Sequence, residues 1–132
     1  MGVRSMFLFA VIFQALTAWA APPKYSAVDL GTLGGQTAPL GINDKGDVVG
    51  YSLVAGNPHA FLYSNGAIQD LGTLGGTQST GFSVNHFGQV VGVANPLNSV
   101  FTNALLFSGG VMADLGLPTI FNSGAASINN VG

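Results

Sequence analysis

One seven-residue sequence, DLGTLGG, occurs at Asp29–Gly35 and again, letter for letter, at Asp70–Gly76. The residues around it also repeat. GINDKGDVVG at 41–50 aligns with SVNHFGQVVG at 83–92, and SINNVG at 127–132 begins a third copy, so the period is 41 to 44 residues. A repeat of this length indicates a chain built from similar supersecondary units, and that constrains the fold more than any single motif does.

Turn signals divide each unit into four short apolar runs. In the first unit, NDKG at 43–46 separates the first two runs, and Asn65-Gly66 separates the last two. Asn-Gly between apolar runs favours a type I′ hairpin, because both central residues need positive φ, and Gly109-Gly110 meets that need in the second unit. No stretch after residue 20 shows a helical period. The sequence therefore predicts an all-β protein with strands near residues 25–30, 38–43, 47–53, 59–63, 67–71, 80–85, 89–94, 102–107, 111–115 and 124–129.

Four antiparallel strands in roughly 40–45 residues are typical of a β-propeller blade. Several of the runs are continuously apolar, as expected for strands covered on both faces. We therefore expect an incomplete β-propeller-like array of four-stranded antiparallel blades, with about two and a half repeats. In such an array DLGTLGG would link the outer strand of one blade to the inner strand of the next. The alternative is a β-solenoid, whose repeats are usually shorter at roughly 20–30 residues, or a β-meander.

The first twenty residues have the composition of an export signal. Arg4 precedes an apolar run at 6–16, and Ala-Trp-Ala at 18–20 gives the small-x-small pattern of a cleavage site. A transmembrane anchor is less well supported, because roughly 20 apolar residues are needed to span a bilayer and Gln14 and Thr17 shorten this run. We predict a helical signal peptide at 1–20 and a repeat region at 21–132. That region divides into an orphan outer strand and linker (25–35), repeat 1 (36–76), repeat 2 (77–116) and the truncated start of repeat 3 (117–132).

Composition limits the function. Charged residues make up 6% of the chain, and cysteine is absent. A nucleic-acid binder needs a basic face, and a disordered chain combines high charge with low hydrophobicity, so neither class fits. The lack of cysteine excludes disulfides, zinc–thiolate sites and thiol catalysis. We expect a secreted, extracytoplasmic protein, periplasmic or extracellular, with no membrane association after signal removal.

The repeated residues resemble a known family. DLGTLGG, GINDKGDVVGYS at 41–52 and HAF at 59–61 are similar to the HAF repeat of bacterial extracellular proteins. The resemblance covers about residues 25–132. It is weaker in the second copy, which has NAL at 103–105 in place of HAF, and at 114–124, where DLGLPTIFNSG replaces DLGTLGG. The resemblance implies export and a repetitive β architecture, and it brings no assigned activity and no catalytic residues.

Two motifs invite a ligand interpretation. A P-loop needs a lysine and Ser/Thr after its glycines, and a dinucleotide loop opens a helix, whereas DLGTLGG has neither feature. NDKGD at 43–47 offers oxygens suited to calcium, but its counterpart NHFGQ at 85–89 has lost both carboxylates. An Asx-turn explains the Asn and Gly kept in all three copies. We therefore predict no metal site and no cofactor.

The candidate acid–base residues follow the repeat. His59 precedes a strand and its counterpart is Asn103, so we expect a hydrogen bond from the side-chain nitrogen to a backbone carbonyl of a neighbouring turn. His86 lies in a turn and should be solvated. The chain has no G-x-S-x-G elbow and no glutamate. Because the remaining aspartates recur at the repeat period, they indicate turn or cap residues, and we predict no catalytic residue; these aspartates are Asp29, Asp70 and Asp114.

Six aromatic residues could form a sugar-stacking platform. We expect them to pack between blades instead, on the basis of their strand positions. Tyr51 and Tyr63, with their polar tips, should reach a rim. The six are Phe61, Tyr63, Phe82, Phe87, Phe101 and Phe107.

The sequence as a whole predicts an exported non-catalytic β-repeat protein, a binding or interaction module from a longer propeller, with an extracellular polymer or protein as its partner. The alternative is a fragment of an extracytoplasmic propeller hydrolase or lyase whose catalytic residues lie outside this chain, because propellers host many activities. A truncated product without autonomous function is a third hypothesis. Open blade edges with few charges also predict self-association.

Overall fold

The computed structural model describes residues 23–116 and 121–131. Strands β1 to β4 form one antiparallel sheet, called sheet A, and β5 to β8 form a second, called sheet B, each in chain order. The described residues contain no helix, so the all-β prediction is confirmed for this part of the chain. The predicted signal helix at 1–20 lies outside the described residues. The strands are β1 (Thr37–Ile42), β2 (Val48–Val54), β3 (Asn57–Ser64), β4 (Ala67–Gly72), β5 (Gly75–Val84), β6 (Val90–Pro96), β7 (Asn103–Ser108) and β8 (Val111–Asp114).

The hairpin turns have the predicted backbone. Between β3 and β4, Asn65 and Gly66 have φ values of 52° and 82°. Between β7 and β8, Gly109 and Gly110 have φ values of 60° and 85°. Both pairs occupy the positive-φ region that a type I′ turn requires, so the hairpin prediction is confirmed at both sites.

Glycine ends the VVG sequence of both units because the neighbouring strand passes too close for a side chain. A Cβ on Gly50 would lie 2.0 Å from the carbonyl oxygen of Ala38, and a Cβ on Gly92 would lie 1.9 Å from that of Thr80. In each unit a register shift lies next to this contact, between Pro39 and Gly41 in the first. The β-bulge and its glycine are therefore part of the repeated unit.

The two sheets pack face to face, with β5 in contact with β1, β2 and β3. The core is asymmetric, because sheet A and sheet B contribute different faces. Sheet A contributes Val49, Ala60, Leu62 and Leu71, a surface called its tail face, and sheet B contributes Val84, Val90, Ala94, Leu105 and Phe107, a surface called its front face. Successive side chains of a strand alternate between the two faces of its sheet. Each sheet therefore has a tail face on one side and a front face on the other.

Two predicted strands are absent. Residues 25–30 and 124–129 belong to neither sheet. A strand requires a ladder with a neighbour, and in the second segment the amide of Ala125 makes a single bond of 3.2 Å to the carbonyl of Gly92. The other eight predicted strands are present. The largest boundary error is at the start of β5, which begins at Gly75 because that residue pairs with Pro96.

The second DLGTLGG heptad connects the two sheets. It runs from the end of β4, which stops at Gly72, into β5, which starts at Gly75. The φ values of these two glycines are 78° and 93°, a region that side chains disfavour. The hydroxyl of Thr73 donates to the carbonyl of Gly76 at 2.8 Å and closes the turn within the heptad.

Candidate functional site

Three asparagines at equivalent positions start the turn that follows the first strand of each unit. The Oδ1 atom of Asn43 accepts hydrogen bonds from the backbone amides of Lys45 and Asp47, at 3.0 and 2.9 Å. Asn85 accepts the same two bonds in the second unit. Asn129 makes the first of them. The Asx-turn prediction is therefore confirmed, and it explains why asparagine recurs.

The same asparagines join one unit to the next. The Nδ2 atom of Asn43 donates to the backbone carbonyl of Asn85 at 2.9 Å, and Nδ2 of Asn85 donates to the carbonyl of Asn129 at 3.1 Å. Beside them, Nδ1 of His86 lies 3.1 Å from Oδ1 of Asp44. The turns of successive units therefore form a continuous row, called the turn row.

A cleft of about 430 Å³ opens in the turn row between the first and second units. Three turns build it: the β1–β2 turn, the β3–β4 turn and the β5–β6 turn. Two of these belong to the first unit and one to the second, so the cleft exists only when the two units stack. Its lining residues are Lys45, Gly46, Asp47, Tyr63, Ser64, Asn65, Gly66, Phe87 and Gly88.

Asp47 supplies a carboxylate to the cleft. A hydrogen bond from Ser64 lowers the pKa of Asp47, and the bond from Asn43 and the charges of Lys45 and His86 act in the same direction, while burial opposes them. The carboxylate is therefore ionised at neutral pH. In the second unit the equivalent bond is neutral, because Nε2 of Gln89 donates to the hydroxyl of Ser108 at 3.2 Å.

Phe87 lies at the rim of the cleft. Its side chain is 70% exposed, and its ring is perpendicular to the imidazole of His86, at 87° with the centroids 5.8 Å apart. The prediction that Phe87 packs between blades is wrong, because the residue stands in a turn and not in a strand. Phe82, at 36% exposed, also departs from that prediction, whereas Phe107 lies in the core between the sheets as predicted. Phe61 is fully buried but lies outside that core.

The two histidines have carboxylate partners. Nδ1 of His59 lies 3.0 Å from Oδ2 of Asp70, and Nδ2 of the equivalent Asn103 donates to both oxygens of Asp114 at 3.0 Å. The prediction that the side-chain nitrogen at this position donates a hydrogen bond is confirmed. The predicted acceptor, a backbone carbonyl, is wrong, because the acceptor is a carboxylate. A signal was available, because a His or Asn precedes an Asp by eleven residues in both units. His86 is less free than predicted, with a side chain 43% exposed and bonded to Asp44.

The aspartates of the DLG sequences also shape turns. Oδ1 of Asp70 and Oδ1 of Asp114 each accept a bond of 2.8 Å from the amide of the glycine two residues further on. Asp29 accepts the same bond at 2.9 Å. The prediction that these three residues are turn or cap residues is confirmed.

Two further observations concern the described parts of the chain. Within residues 23–116 and 121–131, no group of three or more His, Cys, Asp or Glu side chains could hold a metal ion. No helix in this portion is long and apolar enough to span a membrane.

No protein-family model, no curated protein and no solved structure matches this chain. The resemblance to the HAF repeat therefore stays a prediction.

Proposed function

We propose that this chain is an exported, non-catalytic interaction module of the HAF-repeat type, whose units stack like the blades of a propeller and present their turns to an extracellular polymer or protein. The observation that carries the proposal is the packing of sheet A on sheet B. One unit uses its tail face to cover the front face of the next, and both units carry both faces.

The tail face is repeated without change. Its four residues in sheet A, Val49, Ala60, Leu62 and Leu71, have the counterparts Val91, Ala104, Leu106 and Leu115 in sheet B. In sheet A, Leu71 is 7% exposed because sheet B covers it, whereas Leu115 is 53% exposed. Sheet B therefore has a tail face of its own, the surface that packs on a front face. Part of this tail face is open to solvent.

The front face of sheet A is open to solvent along β1, whereas Ser52 and Phe61 on the same face are fully buried. Val84 in sheet B is 6% exposed, but its counterpart Ile42 in sheet A is 71% exposed, and the adjacent Leu40 is 50% exposed. Together with Leu30 and Val48 these residues line an apolar groove of about 410 Å³. Burial of apolar surface is the main favourable term in association, so this groove favours a further unit of the same repeat.

Hydrogen bonds between units repeat as well. The amide of Ala60 donates to the hydroxyl of Ser79 at 2.8 Å, and the amide of Ala104 donates to that of Ser123 at 3.0 Å. Each serine lies nineteen residues after the amide that it accepts from. The residues near 123 thus contact the second unit as β5 contacts the first. Because the same hydrogen bond recurs at the same spacing, this regularity supports an array in which each unit packs on the preceding one in the same way.

The carboxylates and histidines support a non-catalytic role, because those of the turn row and of the DLG sequences have partners within the turns and strands of the repeat. Asp70 pairs with His59, Asp44 pairs with His86, and Asp47 is bonded to Asn43. A propeller hydrolase or lyase whose catalytic residues lie outside this chain stays the alternative. It is not favoured by any contact among the described residues.

The experiment is sedimentation velocity on the exported chain over a range of concentrations. We expect the wild type to self-associate by stacking front face on tail face, and Ile42→Asp to reduce that association, because a carboxylate would be buried unpaired. Val100→Asp is the matched control, since Val100 is 87% exposed in a loop outside both faces. A wild type that remains monomeric at every concentration, with well-protected amides in hydrogen exchange, would contradict the proposal.

A further inference from the structure

We propose that the cleft between the turns of the two units binds a neutral oligosaccharide. The inference rests on the proposed role as an interaction module and names the class of ligand. Its site is the cleft described above, at the junction of the β1–β2, β3–β4 and β5–β6 turns.

Each turn of the turn row contains a framework of residues that are the same in every copy and a tip whose residues differ between copies. The framework consists of the asparagine that starts each turn and, in the first two turns, of Gly46 and Gly88 three residues later, and its bonds use the asparagine side chain and backbone amides. Two residues lie between them, and the second of the two differs in each copy: Lys45, Phe87 and Val131. All three are exposed. The tip can therefore change its chemistry without disturbing the turn, as the binding positions of repeat proteins do.

The chemistry of the cleft fits a sugar ring. A pyranose has an apolar C–H face and a rim of hydroxyls, so a site needs an aromatic surface together with hydrogen-bonding groups. Phe87 supplies an exposed ring and Tyr63 a half-buried one. The Asp47 carboxylate, the Asn65 amide and the Lys45 ammonium supply acceptors and donors around them. The volume of about 430 Å³ lies within the range of small-ligand sites.

Other ligand classes fit the cleft less well. A peptide that extends a sheet needs an open strand edge, and turns build this cleft. An amphipathic helix needs a continuous apolar groove, whereas the two aromatic rings here stand among polar groups. A polyanion needs several cations, and Lys45 is accompanied by Asp44 and Asp47. Two carboxylates against one ammonium disfavour an anionic ligand.

The second unit predicts the stoichiometry. Phe107 takes the place of Tyr63 there, and it is 7% exposed, so its ring is not available to a ligand. Gln89 replaces Asp47 and removes the carboxylate. We therefore expect one oligosaccharide per two-unit chain.

The test is NMR titration of the ¹⁵N-labelled exported chain with cellohexaose, xylohexaose and maltohexaose, and with tri-galacturonate as the acidic comparison. We expect at least one neutral oligosaccharide to bind saturably with one-to-one stoichiometry, shifting amides at 43–47, 63–66 and 86–88. Phe87→Ala should weaken binding about tenfold or more, and Phe87→Tyr should retain it because the ring is kept. Phe121→Ala is the matched control, since Phe121 is also 70% exposed but lies outside the cleft.

Three results would overturn the inference: no neutral oligosaccharide binds more tightly than about 1 mM, only tri-galacturonate binds, or Phe121→Ala weakens binding as much as Phe87→Ala. Unchanged dispersion of the amide chemical shifts shows that Phe87→Ala is folded. If Phe87→Ala does not fold, Phe87→Tyr still tests the site, because it keeps the aromatic ring. Failure here is distinct from failure of the proposed function. Stacking is tested by Ile42→Asp in sedimentation, and that result does not involve the cleft.

Discussion

The side-chain amide of Asn43 donates to the backbone carbonyl of Asn85, its own counterpart 42 residues later, at 2.9 Å. Asn85 in turn donates to Asn129, 44 residues further on, at 3.1 Å. Asn43 and Asn85 thus each use the side-chain oxygen to close their own turn and the side-chain nitrogen to hold the next turn. One residue type at one position stabilises both the unit and the junction between units, and this explains why it recurs in all three copies.

Asn85→Ala should destabilise the protein by about 1–3 kcal/mol, the cost of leaving buried backbone groups without partners. Asn85 is 2% exposed, so water cannot replace the lost bonds. The measurement is urea unfolding followed by circular dichroism. Gln69→Ala, at an exposed position of β4, serves as the control and should stay within about 0.5 kcal/mol of the wild type. Equal midpoints for the two variants would contradict the importance of the asparagine.

Gly92→Ala should cost about 3 kcal/mol, the upper end of the usual cost of overpacking, because the new Cβ would lie 1.9 Å from the carbonyl of Thr80 and the strands would have to separate. Gly66→Ala separates this clash from backbone strain. A Cβ there meets nothing within 4 Å, but its φ of +82° is unfavourable for alanine, with an expected cost of about 1–2 kcal/mol. Thermal unfolding of both variants provides the comparison. If Gly66→Ala proves the more damaging, the close contact at the bulge does not explain the VVG sequence.

The bond from Ser64 to Asp47 should make stability depend on pH. The pKa of Asp47 in the folded protein lies below its ordinary value of 3.8, so its contribution is present above that value and is lost as the pH falls through the lower, folded pKa. Ser64→Ala removes the largest cause of the shift. We therefore expect the stability difference between wild type and Ser64→Ala to be constant near neutral pH and to shrink in the acid range.

Urea unfolding at a series of pH values measures this difference. Ser108→Ala is the control, because its partner is the neutral side chain of Gln89. The stability cost of Ser108→Ala should not change over the same pH range. A Ser64→Ala difference that is equally flat would show that the serine does not act through the charge of Asp47.

Export with cleavage after Ala20 stays a prediction from the sequence, where Ala-Trp-Ala at 18–20 follows an apolar run. Mass spectrometry of the protein recovered from outside the cytoplasm should find Ala21 at the N-terminus. Ala20→Pro should block cleavage while leaving the apolar run unchanged. Recovery of intact Met1 in the membrane fraction would indicate a retained anchor instead.

Much of the fold could be predicted because its determinants are local. Asn65-Gly66 specifies a hairpin through the φ angles of two adjacent residues. The period of the DLG sequences gives the number of units. Residues 25–30 were predicted as a strand on the same grounds, yet a strand depends on a partner elsewhere in the chain, and no local pattern reports that partner.

The cleft could not be predicted, because it joins residues more than twenty positions apart. Phe87 lies beside Lys45 only after sheet B has packed on sheet A. A strand position was expected for Phe87 and predicted a core residue, and only the structure shows that the residue lies in a turn outside every strand. The bond between His59 and Asp70 was accessible in principle, since the pairing of β3 with β4 brings residues eleven apart together.

The tail face of each unit carries the same four residues, Val, Ala, Leu and Leu, so a repeated unit brings the same packing surface each time. A duplicated unit has both a tail face and a front face. Lengthening such a chain by one whole period therefore requires no new complementary surface. The loss of a few residues within a unit, by contrast, would shift one strand against its bulge and disrupt the contacts on both sides. Genes of this kind should therefore vary in length by whole periods.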